Sequence, residues 1–172
     1  MTGRMSPPSR HCAVEFQALP EHIGQIRRIA TAQLRYWGLD PLIEAAALGL
    51  TELLTNVHRH AGADKHCAVE LSQRSERLTV CVQDRDPQLP RLRTAAPESE
   101  SGRGLQRVAA VSASWGMRVR KDGSGKVVWF SLPTTCQPQR HPTPSGPTVE
   151  VAAPTTPGEA IRAAHPAPAA SR

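Results

Sequence analysis

Glu52-Leu53-Leu54-Thr55-Asn56-Val57-His58-Arg59-His60-Ala61 is the stretch on which the reading of this chain turns. At 100° per residue, Ile43, Ala46, Leu50, Leu53 and Val57 form one apolar stripe, the side of a helix that meets a sheet. Glu52, Asn56 and His60 follow one another at four-residue intervals and line up on the other side. A carboxylate there can accept a proton from a nucleophile. An amide oxygen one turn later is a neutral ligand for a hard cation such as Mg²⁺. The plainer reading is the solvated face of an amphipathic helix, and this stretch alone leaves both open.

The elements on either side set the fold class. Asp40-Pro41 reads as an N-cap followed by proline in the first turn, so the helix is expected from there to about Ala61, with Gly62 ending it. Before it, Ile23, Ile26, Ala30, Leu34 and Trp37 recur at helical spacing up to Gly38, and Cys12, Val14, Phe16 and Ala18 alternate as in a half-buried strand. After it come two strands, Cys67-Val69-Leu71 and Leu78-Val80-Val82, with a turn near Arg74-Ser75. Residues 85–101 hold Pro87, Pro90 and Pro97 and read as a long loop. A helix with Leu105, Val108 and Val111 on one face follows. Met117–Arg120 and Lys126–Leu132 then make a hairpin turning at Asp122-Gly123. This order predicts an α/β two-layer sandwich, with helices on one face of a mixed, mainly antiparallel sheet.

Two further features carry chemistry. Parity continues the inward row Leu78, Val80, Val82 to Asp84, which puts a carboxylate at the end of a buried face. A buried charge needs a partner, and an exocyclic amine such as that of adenine is a suitable donor; a strand-end aspartate facing water is the alternative. Gly102-Arg103-Gly104-Leu105 opens a helix, where free N–H groups favour anions such as phosphates. The long loop before it is placed to act as a lid.

In this order the pieces resemble the GHKL (histidine-kinase-like) ATPases: a Glu-x-x-x-Asn helix, a strand-end Asp, a lid, a Gly-x-Gly-Leu helix and a terminal Gly125-Lys126-x-x-x-Phe130 strand. Within them the chain looks like the short anti-sigma-factor serine kinases. The resemblance covers about residues 11–133 and implies the Bergerat-type ATP-binding fold, with ATP and Mg as cofactors. It implies Glu52 as catalytic base and Asn56 as the Mg²⁺ ligand. Asp84 becomes the adenine reader, with Gly102, Arg103, Gly104 and Leu105 at the phosphates, His60 near them, and Gly125 and Lys126 as the terminal-strand box. It further implies a serine/threonine protein kinase in transcriptional regulation, acting on a sigma factor or an anti-sigma antagonist. The alternative is a catalytically idle protein-binding module of the same fold. One departure stands out. The family has x-Gly after the adenine-reading Asp, whereas this chain runs Asp84-Arg85-Asp86-Pro87, with an added negative charge and no glycine.

Bulk properties bound the rest. Hydrophobic residues make up 39% and charged residues 21%, ordinary globular usage. Of the net charge of +6, three arginines against two glutamates leave +1 on residues 134–172 and +5 on the remainder. No run of like charges or stacking platform points to nucleic acid, which is not expected as a partner. Cys12, Cys67, Cys81 and Cys136 form no CxxC pair and read as reduced, packed thiols. No secretion signal and no span of roughly 18 apolar residues is seen, so no membrane is involved and a cytoplasmic location is expected. The sequence leaves room for a homodimer. Residues 1–10 are expected to be flexible. Of the 39 residues from Thr134 to Arg172, 8 are Pro, 8 Ala and 8 Ser or Thr, a composition expected to stay disordered.

Overall fold

The computed structural model describes residues 9–90 and 103–134, all within one compact unit, Met1–Arg140. The lid expected over residues 85–101 falls mostly outside the described residues, as do Gly102, the N-terminal eight residues and the Pro/Ala-rich tail. Element order is β1 (Arg10–Gln17), α1 (Pro20–Tyr36), a 3₁₀ turn (Asp40–Leu42), α2 (Ile43–His60), β2 (His66–Arg74), β3 (Arg77–Asp84), α3 (Gly104–Val111), β4 (Ser114–Val119) and β5 (Lys126–Pro133).

Helix α1 begins on Pro20, whose missing N–H would have had no partner there anyway. It closes on Gly38, at φ +71°: the Gly38 N–H reaches the Arg35 carbonyl at 2.9 Å and the Leu39 N–H reaches Leu34 at 2.9 Å. This paired closure needs a left-handed residue, and glycine adopts that conformation without penalty. The cap expected at Asp40 is not formed. Asp40 lies inside the 3₁₀ turn, its side chain caps nothing, and α2 starts three residues later at Ile43. With Leu39 buried and held to Leu34, the chain leaves α1 too tightly to present Asp40 ahead of a helix.

Two helices separate β1 from β2, so the chain turns back three times, into α1, into α2 and into β2, and β2 pairs antiparallel to β1. The sheet order is β1-β2-β3-β5-β4, and the sheet, expected to be mainly antiparallel, is antiparallel in all four pairings. Helix α3 carries the chain from β3 to β4, and β5 then fills the place between them. The helices form the second layer of the sandwich.

The core lies between the layers. Ala46, Leu50, Leu53 and Val57 of α2, with Leu54, meet Leu78, Val80 and Val82 of β3 and Val128, Phe130 and Leu132 of β5. Gly49 lets the two layers approach: a methyl group on it would lie 2.5 Å from Phe130 Cζ, and Phe130 is fully buried. Burying one such aromatic side chain contributes on the order of 2–3 kcal/mol. His58 holds α2 to the end of β1, its Nδ1 lying 2.9 Å from the Ala18 carbonyl. A carbonyl only accepts, so Nδ1 carries the proton. Among the described residues, no helix is long and apolar enough to cross a membrane.

Candidate functional site

The polar side of α2 does not face open water at Glu52 and Asn56. The first turn of α3 lies against it. A Cβ on Gly104 would stand 2.9 Å from Glu52 Oε2 and 3.6 Å from both side-chain polar atoms of Asn56. The carboxylate, the amide and the start of α3 therefore meet at one place, and a Cβ at Gly104 would push the Glu52 carboxylate aside. Glu52 is also held from the far end: Arg107, one turn into α3, donates from Nη1 to Oε1 at 2.8 Å. The glutamate side chain keeps 16% of its exposure and the arginine 59%, so this pair orients Glu52 more than it stabilises the fold.

Arg103 at the cap position of α3 is helical in conformation and makes no side-chain cap hydrogen bond. The first N–H groups of a helix lack intrahelical partners, and together with the helix dipole they favour an anion. Leu105, expected at the phosphates, points its side chain into the core at 5% exposure, so what it can offer there is its backbone N–H. His60, one turn beyond Asn56, is exposed. No group of three or more His, Cys, Asp or Glu gathers among the described residues. A divalent cation here would rest on the Asn56 oxygen with phosphate and water oxygens, a ligand set that suits Mg²⁺.

The other end of the site is built from β3 and β5. Asp84 is buried at 4% exposure, as parity implied, but it already has a cationic partner. Lys126, its register partner on β5, donates from Nζ to Asp84 Oδ2 at 3.0 Å and Oδ1 at 3.1 Å. The same ammonium reaches the Asp86 carbonyl at 3.0 Å and Asp86 Oδ2 at 3.4 Å. The Asp86 N–H closes back onto Asp84 Oδ1 at 2.9 Å. Asp86 in turn accepts the Gln88 N–H at 3.0 Å, and this bond, with Lys126 beside it, holds its carboxyl below the usual range. Gly125 makes the arrangement compact, since a Cβ there would lie 1.9 Å from the Asp84 carbonyl oxygen. The Asp86 that breaks the family pattern is thus the half-buried wall of a charge cluster whose other members, Asp84 and Lys126, are buried.

Sequence reasoning missed two contacts, Arg107 on Glu52 and Lys126 on Asp84. The second had a signal, because Lys126 shares parity with the buried Val128, Phe130 and Leu132. The first lay in the three-residue step from Gly104 to Arg107.

The sequence profile of the histidine kinase-like ATPase domain matches residues 16–132, which takes in every group just described. The chain belongs to that family. No curated protein matches it. Among solved structures, the RsbU and RsbW domains of Rv1364c from Mycobacterium tuberculosis are similar, with 16% identity and a TM-score of 0.51 over 73% of this chain. The chain spans 32% of that structure's length, and at this identity the likeness is one of fold. Within the site, Glu52, Asn56 and the start of α3 meet at one end, whereas at the other end Asp84 is closed upon Lys126.

Proposed function

We propose that this protein is an ATP-dependent regulator of transcription. In this reading it binds a sigma factor or an anti-sigma antagonist and transfers the γ-phosphoryl group of ATP to a serine of the antagonist. The observation that carries the reading is the meeting of Glu52, Asn56 and the start of α3 around Gly104. The RsbW domain in the similar fold supports the choice of partner class. Glu52 is the proton acceptor: the serine oxygen bonds to phosphorus, its proton passes to the carboxylate, and ADP leaves with the electron pair of the broken P–O bond. Arg107 keeps Oε1 occupied and so leaves Oε2, the oxygen nearest Gly104, to take that proton. Helix N–H groups at Gly104 and Leu105 donate to phosphate oxygens. Asn56 would hold Mg²⁺, which would supply positive charge against the phosphates. Asp84 accepts from the adenine amine.

A second reading, a binding module that makes no use of ATP, is favoured by one observation: Asp84 is already satisfied by Lys126. Thermal stability separates the two. A ligand at 100 times its dissociation constant that binds only the folded state adds about 2.7 kcal/mol. ATP with Mg²⁺ should raise the melting temperature by several degrees, and GTP by less, since guanine presents a carbonyl where adenine has its amine. No shift with millimolar ATP would remove the nucleotide reading. Transfer from labelled ATP to candidate antagonists then tests the kinase step.

A further inference from the structure

Lys126 makes four polar contacts, to both oxygens of Asp84 and to the carboxylate and carbonyl of Asp86, all within 3.4 Å. An ammonium has three protons, so none is left for a ligand. Side-chain exposure is 7% for Lys126 and 3% for Asp84, which leaves no path for an exocyclic amine to the carboxylate while the lysine stays. Asp86 is different: its side chain is 20% exposed, and it reaches the ammonium from the solvent side. From these contacts we infer that Lys126 is a latch over the base-binding end of the site and Asp86 its catch, an inference that rests on the nucleotide reading above. Adenine enters by displacing the ammonium from Asp84. The resting protein is closed to the base.

The latch gives Asp86 a purpose. A lysine at the mouth of a buried face needs compensation on more than one side, and the carboxylate two residues beyond Asp84 supplies it. It also separates two quantities that an ordinary pocket couples. Affinity for the base is reduced by the fraction of molecules whose latch is open, whereas affinity for phosphates alone is untouched.

The test measures dissociation constants of ATP and of inorganic triphosphate, both with Mg²⁺, on the full chain and on Asp86→Ala and Lys126→Gln. Glutamine keeps a donor for Asp84 but cannot span to Asp86, and Asp86→Ala leaves the buried pair intact should Lys126→Gln fold poorly. Asp86→Ala is expected to tighten ATP about threefold and Lys126→Gln about tenfold, with triphosphate unchanged in both. Weaker ATP binding in Lys126→Gln would make the lysine a ligand contact and overturn the latch. Equal tightening of triphosphate would overturn it too, because the effect would not be at the base. If all three forms bind ATP alike, the latch fails and the nucleotide reading stands. If none binds ATP or triphosphate, both fail.

A second readout uses the chain's three lysines, Lys65, Lys121 and Lys126. Acetylation should be much slower at Lys126 than at exposed Lys121, and Asp86→Ala should narrow the gap. Equal rates in the parent protein would mean that the latch is not shut.

Discussion

Gly125→Ala is a sharp test of how β3 and β5 meet at the site. The added Cβ would lie 1.9 Å from the Asp84 carbonyl oxygen and 2.9 Å from both Asp84 C and Arg85 Cα, where ordinary contact begins at 3.4 Å. The atoms in the way are all backbone, so no side-chain rotation relieves the clash, and the strands must part by about 1.5 Å, the shortfall from 3.4 Å. Conformation is not the issue, because the positive-φ glycines are Gly38 and Gly123. Overpacking of a well-packed region costs about 1–3 kcal/mol. Loss of the neighbouring ladder bond adds about 1 kcal/mol, for a total near 3 kcal/mol. For a domain this size, roughly 3–5 °C of melting temperature accompanies each kcal/mol, so thermal melts followed by circular dichroism should fall by about 10 °C. Gly24→Ala is the control: it sits inside α1 with nothing within 4 Å of its Cβ. That change should raise stability by up to about 1 kcal/mol through helix propensity. A Gly125→Ala protein melting with the parent would refute the close approach, and with it the compactness of the Asp84 cluster.

Glu52→Gln keeps the size and one acceptor for Arg107, so ATP affinity should hold while transfer to serine falls at least about 100-fold in a labelled-phosphate assay. Asn56→Ala should abolish the Mg²⁺ dependence of ATP binding while the circular dichroism spectrum stays native, since the side chain lies off the core. Gly49→Ala should lower stability by about 1–2 kcal/mol in urea titrations, the overpacking on Phe130 exceeding the gain in helix propensity. Burial, with Asp84 adding to it at Cys67 and Glu70 at Cys81, pushes both thiols up to about 12 from 9.0. Their contribution to stability is therefore complete below pH 9.0 and lost as pH rises from there through about 12. At pH 8 a thiol reagent should modify partly exposed Cys12 and spare both until the chain unfolds.

Much of the fold was legible because its elements carry clean periodicities. Leu78, Val80 and Val82 alternate without exception, and Asp84 followed by parity. Ile26, Ala30 and Leu34 mark α1, and glycines sit where its closure and the last hairpin turn require them. The start of α2 was misread because Asp40-Pro41 has the composition of a cap, while the closure of α1 on Leu39 decided what Asp40 could do. In the candidate site, Glu52, Asn56 and Gly104 are each singled out by the sequence, but their meeting is not, since helix spacing says nothing about which helix arrives opposite. Lys126 illustrates the limit best. Its parity was readable from β5, yet its partner depends on β5 lying beside β3 and not beyond β4, which is a matter of topology.

The buried pair of Asp84 and Lys126 also bears on how two hairpins find one another. β2 with β3 and β4 with β5 each close through short turns, whereas β3 meets β5 across the whole of α3 and the stretch before it. A slip of one residue along that seam would turn every apolar side chain to the wrong face and is rejected by the hydrophobic pattern. A slip of two would keep the faces and is nearly invisible to it, since Val, Phe and Leu would still meet Val and Leu. Such a slip sets Lys126 opposite Val82 or Asp84 opposite Val128, leaving a charge buried among hydrocarbon. The ion pair contributes little net stability, but it makes one alignment of the seam admissible and its nearest competitors costly.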